Sequence, residues 1–192
     1  DSGDAVLSGS SVVTQPEEVR RKIGFLTSEL KLEDFFTPDY LYDFFSELYG
    51  IPTDRRDARK RMLFARFGIQ EFAQVRVRDL STGMKQKVSL VISLVQDPEI
   101  IIFDEPTNGL DILTAKVVTD FLLDLKEQGK TIIISTHIFS LVEKICDRVG
   151  IIINGRMAAC EDLWTLCGDK SLEDRFFEIY EAVNGEDENH DK

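Results

Sequence analysis

No apolar run in this 192-residue chain approaches the ~20 residues that a membrane-spanning helix requires. The first residues, DSGDAVLSGS, have neither the basic nor the apolar region of a secretion signal. Cysteine is scarce and odd in number. Cys146, Cys160 and Cys167 are irregularly spaced, which fits reduced thiols in a cytosol and neither a disulfide framework nor a zinc site. Positive charge is outweighed: 23 Lys and Arg against 35 Asp and Glu leave a net charge of -12. That balance speaks against sequence-independent nucleic-acid binding, which depends on neutralising phosphates. Part of the negative charge lies in the C-terminal NGEDENHDK, which reads as disordered. What the chain does have is material for a core. It is 43% hydrophobic and 30% charged, enough for one α/β domain with a sizeable insertion.

The segment GDAVLSGSSV alternates weakly and reads as one edge strand. A short helix opens at Pro16 and gives way to a strand through Phe25. From about residue 30 the character changes. YLYDFFSELYGI is an aromatic-rich helix stopping at Gly50, and DRRDARKRMLFARFGI is a second helix ending at Gly68. Two helices with no strand between them predict a helical subdomain inserted into an α/β core. Met84, Val88, Val91, Ile92 and Val95 recur at helical spacing. Asp97-Pro98 then resets the chain, and a strand (EIIIF), an amphipathic helix closed by Gly129 and a second strand (TIIIST) follow. That alternation argues for a parallel sheet. LVEKICDR reads as helix, VGIIINGRM as a hairpin around Asn154-Gly155, and LEDRFFEIYEAV as a terminal helix. The expected layout is a single domain, 1–192: a helical subdomain over about 30–95, an α/β core over about 96–160, and a C-terminal helix with an acidic tail over about 161–192.

Ligands of open parallel sheets bind beyond the carboxyl ends of the strands. Three features fall in such places. IIIFDEPTNGLD delivers Asp104 and Glu105 from a buried strand, and STH places His137 after the next. LSTGMKQ opens a helix with Ser81 and Gly83 in its first turn, where unpaired backbone N–H groups and the helix dipole favour an anion. Taken singly, each feature is commonplace: an acid pair after a strand, a structural histidine, a good helix start with Ser81 as cap. Their order and spacing within about sixty residues carry the reading.

In that order the motifs resemble those of the ATP-binding cassette (ABC) ATPases, the ATPase subunits of ABC transporters, over most of the chain from about residue 3 to 180. LSTGMKQ looks like the signature motif, IIIFDEPTNGLD like the Walker B strand and D-loop, and STH like the switch histidine. VRRKIGFLTSE resembles the strand into the Q-loop, and FFTPDYLYDFFSELYGI the start of the helical subdomain. The resemblance implies a P-loop NTPase-like parallel sheet flanked by helices, with ATP and Mg2+ as cofactors. It implies that Asp104 helps hold Mg2+, that Glu105 polarises the attacking water, and that His137 contacts the γ-phosphate. Ser81 and Gly83, with Thr82 and Met84 beside them, would grip the γ-phosphate of a nucleotide on a second ATPase subunit, and Asp111 would communicate across that interface. A transmembrane permease subunit would be the other partner, with the protein peripheral on the cytoplasmic face of the cell membrane and no nucleic acid involved.

The chain departs from the family pattern in two places. Thr82 and Met84 alter the common Leu-Ser-Gly-Gly-Gln signature, and Met84 cannot make the glutamine's hydrogen bonds. The Q-loop glutamine falls near Ser28, so Ser28 or Glu29 would have to take its place. Magnesium-nucleotide chemistry also needs a phosphate loop, G-x-x-x-x-G-K-[ST], between a strand and a helix. The only Gly-Lys-Thr is Gly129-Lys130-Thr131. It has Asp124 where the first glycine belongs and a strand after it, so the match is false. The expectation is therefore an ABC ATPase that powers a membrane transporter, in a chain that starts downstream of its phosphate loop and is inactive alone. The alternatives are a non-catalytic partner that lends its signature motif, and a soluble ABC-type ATPase module.

Overall fold

A computed structural model describes residues 2–27 and 32–190, with side chains described as far as residue 185. The chain divides into two compact units, Asp1–Ser135 and Thr136–Lys192.

The first unit opens with a hairpin of β1 (Val6–Leu7) and β2 (Ser10–Ser11), where the alternation predicted one strand. Ser8 and Gly9 both take left-handed backbone (φ 47° and 80°), and such a turn folds the strand back on itself. Helix α1 (Pro16–Lys22) starts at a proline. It carries Glu17 and Glu18 at its positive end and Arg20, Arg21 and Lys22 at its negative end. Strand β3 (Ile23–Leu26) follows at once. The helical part comprises α2 (Pro38–Leu48), capped by Thr37 Oγ1 accepting from the Tyr40 N–H at 3.2 Å, and α3 (Thr53–Phe67), ended by Gly68 at φ 66°. Two short 3-10 turns, Ile69–Phe72 and Val77–Asp79, lead to α4 (Thr82–Ser93). Then β4 (Ile100–Asp104), α5 (Ile112–Glu127) and β5 (Thr131–Ser135) alternate as the sequence predicted.

Strands β3, β4 and β5 form a wholly parallel sheet in that order. Its register aligns Leu26 with Phe103 and Gly24 with Ile101 on one face. Leu26, Ile101 and Phe103 are fully buried there, each contributing about 1.5–3 kcal/mol. Gly24 lets α4 approach: a Cβ at this position would lie 2.5 Å from the Ser93 carbonyl oxygen and 2.7 Å from Pro98 Cγ. On the opposite face Phe25, Ile102 and Ile133 share a row, and Phe25 and Ile133 stay half exposed.

Asp97 ties three elements together. It sits in the turn before β4 with φ 55°, and accepts from Arg59 of α3 at 3.1 Å and from Lys130, just before β5, at 2.9 Å. Burial pushes its carboxyl pKa up, but the two cations outweigh that and hold it below the usual range. Its contribution is thus complete above the ordinary carboxylate pKa of about 3.9 and fades as pH falls through the lowered folded value. Because the carboxylate is 55% exposed, Asp97→Asn is expected to cost no more than about 1 kcal/mol at neutral pH. Thermal melts of the two proteins should differ at pH 7 and converge as the pH falls through the lowered carboxyl pKa of the folded protein.

The aromatic residues around α2 divide. Tyr42 is fully buried, edge-on to Phe64 at 5.6 Å, and burial raises its phenol pKa to about 12. Phe36, Tyr40 and Phe44 instead stack in a partly exposed ladder, with centroid spacings of 4.6 and 6.3 Å.

In the second unit, α6 (Phe139–Ile145) precedes an antiparallel hairpin of β6 (Arg148–Ile153) and β7 (Arg156–Asp162). Asn154 and Gly155 turn it with φ 50° and 75°, as their sequence predicts. A five-residue helix the sequence reading did not identify, α7 (Leu163–Cys167), leads to α8 (Leu172–His190). Ile151, Ile153, Leu166 and Leu172 form the core, with Phe139, Phe176, Ile179 and Val183 packed on it. Where the charge of the tail implied disorder, α8 runs through to His190, and the last two positions lie outside the described residues. Phe176, Ile179 and Val183 seat the helix at helical spacing, and an Asn154–Asn184 side-chain bond of 3.1 Å holds it beyond them. Cys146, Cys160 and Cys167 form no disulfide. Among the described residues no helix is long and apolar enough to cross a membrane.

Candidate functional site

The sheet register brings the site together. Asp104 ends β4, directly beside Ser135 at the end of β5, and the Ser135 hydroxyl donates to Asp104 Oδ1 at 2.6 Å. Asp104 is therefore tethered at the carboxyl edge of the sheet, where such folds place their ligands. Glu105 follows in left-handed backbone (φ 48°), unusual for a residue with a side chain. Its N–H donates to the Ser135 carbonyl at 2.9 Å, so the chain leaves the strand at a fixed point. Such strain persists only where the surroundings enforce it, and it is found at functional sites.

Beyond Glu105 the chain turns tightly. The Asn108 N–H donates to the Glu105 carbonyl, the Leu110 N–H donates to the Thr107 carbonyl, and Gly109 takes φ 71°. Asp111 then caps α5. Its Oδ1 accepts from the Leu113 and Thr114 N–H groups at 3.0 Å, and its Oδ2 from the Thr114 hydroxyl at 2.6 Å. The Thr114 bonds hold the Asp111 pKa below the usual carboxylate range.

Ser81 caps α4, its hydroxyl accepting from the Met84 N–H at 3.3 Å. Thr82 and Gly83 form the first turn, which holds no acidic residue. This turn packs on the loop after Glu105. A Cβ at Gly83 would meet the Gly109 carbonyl at 3.9 Å and Leu110 Cδ2 at 4.0 Å, and a Cβ at Gly109 would meet Thr82 Cγ2 at 3.8 Å. The helix start and the acid-bearing loop thus form one rim. His137 belongs to the second unit, where it is exposed and precedes α6. Ser28 lies outside the described residues.

The sequence reading missed three residues. Ser135 appeared only as the end of a strand, Thr114 as part of a helix, and Thr107 as loop. Thr107 is buried, and its hydroxyl has no hydrogen-bond partner among the described residues.

The family model described as ABC transporter matches residues 1–108. The chain belongs to this family. It is 39% identical over 156 residues to the ABC transporter ATP-binding protein NatA of Bacillus subtilis (strain 168), covering 81% of this chain and 63% of NatA. It is 35% identical over 151 residues to the uncharacterized ABC transporter ATP-binding protein MJ1023 of Methanocaldococcus jannaschii, covering 78% and 57%. The chain thus spans about three-fifths of the length of these relatives. A solved structure of an ATP-binding subunit of an ABC transporter superposes with a TM-score of 0.85 at 27% identity, over 91% of this chain and 75% of the other.

Proposed function

We propose that this chain is the part of an ABC transporter ATPase that supplies the Walker B acids, the D-loop and the signature helix for ATP hydrolysis. One observation carries the reading: the rim in which Asp104, tethered to Ser135, and Glu105, in strained backbone, stand beside a loop packed on the first turn of α4. Phosphoryl transfer asks a protein mainly for positioning and charge stabilisation around an in-line water. Asp104 and Ser135 offer oxygen donors, the type Mg2+ takes, and such an ion draws only one or two carboxylates from the protein and completes its shell with phosphate and water. When bound, the ion supplies charge neutralisation on the phosphates.

Glu105 is the base that orients the attacking water, and His137 the contact to the γ-phosphate. Ser81, Thr82, Gly83 and Met84 present a helix N-terminus, capped by Ser81, to a nucleotide held by a second ATPase subunit. Asp111 fixes the D-loop on the same side through its cap. ATP and Mg2+ are the cofactors, and the active unit is a pair of such subunits on a transmembrane permease at the cytoplasmic face of the membrane.

The surface for the permease is the exposed ladder of Phe36, Tyr40 and Phe44, next to a cavity of about 510 Å³ lined by Phe25, Leu41, Phe45 and Tyr49, among others. An exposed aromatic patch beside a cavity has the character of an interaction site. A photocrosslinker at Tyr40 should capture a membrane protein in cells that make the transporter, and one at the exposed Lys116 on α5 should not. Crosslinks from Tyr40 to soluble copies of the same chain alone would count against the assignment.

A further inference from the structure

We infer that the outer face of α8 is a docking platform for an arginine- and lysine-rich polypeptide segment of a partner protein. Residues 173, 177, 180 and 181 fall on one side of this helix, at i, i+4, i+7 and i+8. That side presents Phe177, 50% exposed, and Tyr180, 44% exposed, between Glu173 and Glu181, which are also exposed.

The two rings are held from beneath. Phe176 packs on the core of the second unit and lies 5.4 Å from Phe139. Phe177 meets Phe176 edge-on at 5.5 Å, and Tyr180 stacks on Phe176 at 6.2 Å with an interplanar angle of 22°. Exposed aromatics fixed in this way bind with little loss of freedom, which is the property of an anchor site.

Charge selects the occupant. Among the described residues Glu173 and Glu181 form no ion pair, whereas Glu178, on the flank, is paired with both Lys170 and Arg175. The platform therefore offers two ring faces, which attract cations through their quadrupoles, flanked by two carboxylates with no cation of their own. An apolar or acidic partner would leave those carboxylates desolvated and unmatched, at a cost. Arginine suits both features, because its planar guanidinium stacks on rings and forks onto carboxylates. Glu173 and Glu181 are eight residues apart, about 12 Å along the helix axis. An extended segment spans that distance between residues four positions apart. The matching pattern is two arginines separated by three residues, with an apolar side chain between them to meet Phe177 and Tyr180.

The test uses the whole chain and a fluorescein-labelled peptide with that arginine spacing, followed by anisotropy at about 0.15 M salt, where long-range attraction to the net charge of -12 is largely screened. The wild type should bind saturably. Phe177→Ala/Tyr180→Ala keeps every charge and should weaken binding at least about tenfold. Glu173→Gln/Glu181→Gln keeps both rings and should weaken it by a similar factor. A peptide with glutamates in place of the arginines should not bind. Circular dichroism of both variants confirms that they fold, and the exposed Gln pair serves as the test if the aromatic pair proves structural. Equal affinity in the wild type and the two variants would overturn the inference, as would an absence of saturable binding.

Discussion

Replacing Glu105 by glutamine is expected to stop ATP hydrolysis while leaving nucleotide binding intact, in a polypeptide that joins this chain to a phosphate loop. The side chain keeps its shape and loses the charge that orients the attacking water. Removing a general base of this kind costs roughly 10²–10⁴-fold in rate. Geometry makes the experiment clean. The Glu105 N–H is bonded to the Ser135 carbonyl and the backbone is locked at φ 48°, so glutamine should sit where glutamate does. With hydrolysis blocked, two subunits should remain clamped on ATP as a stable dimer, visible as a shift in elution volume on Mg-ATP addition. Asp104→Asn provides the contrast. It leaves the water-orienting carboxylate in place and weakens the hold on the metal, so its defect should appear in Mg2+-dependent nucleotide affinity. A Glu105→Gln protein that hydrolyses ATP near the wild-type rate would remove Glu105 from the catalytic role.

The elements of the fold that local chemistry decides were legible in the sequence. The runs IIIFD and TIIIS are apolar and β-branched, and both are strands of a parallel sheet. Gly68 stops α3 because only a left-handed residue fits there, and Asn154-Gly155 turns β6 into β7 for the same reason. Ser8-Gly9 carried the same signal over too few residues to stand out, and the tail of α8 was misread because its composition is charged while its anchors lie upstream. The acids of the site were legible because they end a buried strand. Their supports were not. The Ser135–Asp104 bond depends on pairing between strands 31 residues apart, and a register slip of one residue would turn Ser135 to the other face. The contact of Gly109 with Thr82 joins a loop to a helix start, and no periodicity encodes it.

The 192-residue chain by itself is expected to bind Mg-ATP too weakly to register at micromolar concentrations. A triphosphate needs dense positive charge and convergent N–H donors, which a phosphate loop supplies through its backbone and lysine. The one Gly-Lys-Thr in this chain does no such work. Thr131 begins β5, and Lys130 has its ammonium on the Asp97 carboxylate at 2.9 Å and on the Asp97 carbonyl at 3.2 Å. Only 17% of that lysine side chain is exposed, so releasing it to a phosphate would leave Asp97 with Arg59 alone and free the Asp97 carbonyl of its bond to the ammonium. At the rim, Asp104 and Glu105 bring negative charge toward the nucleotide, and the Ser81 hydroxyl is already engaged by the Met84 N–H. Among the described residues the first turn of α4 is the one donor-rich feature at the rim, and a single helix N-terminus contributes on the order of 1 kcal/mol toward an anion. That is far below the roughly 8 kcal/mol of micromolar affinity. Calorimetric titration with Mg-ATP should give only heats of dilution, and joining a phosphate loop to the chain should restore saturable binding. A micromolar isotherm from the chain alone would show that other residues within it form a complete phosphate site.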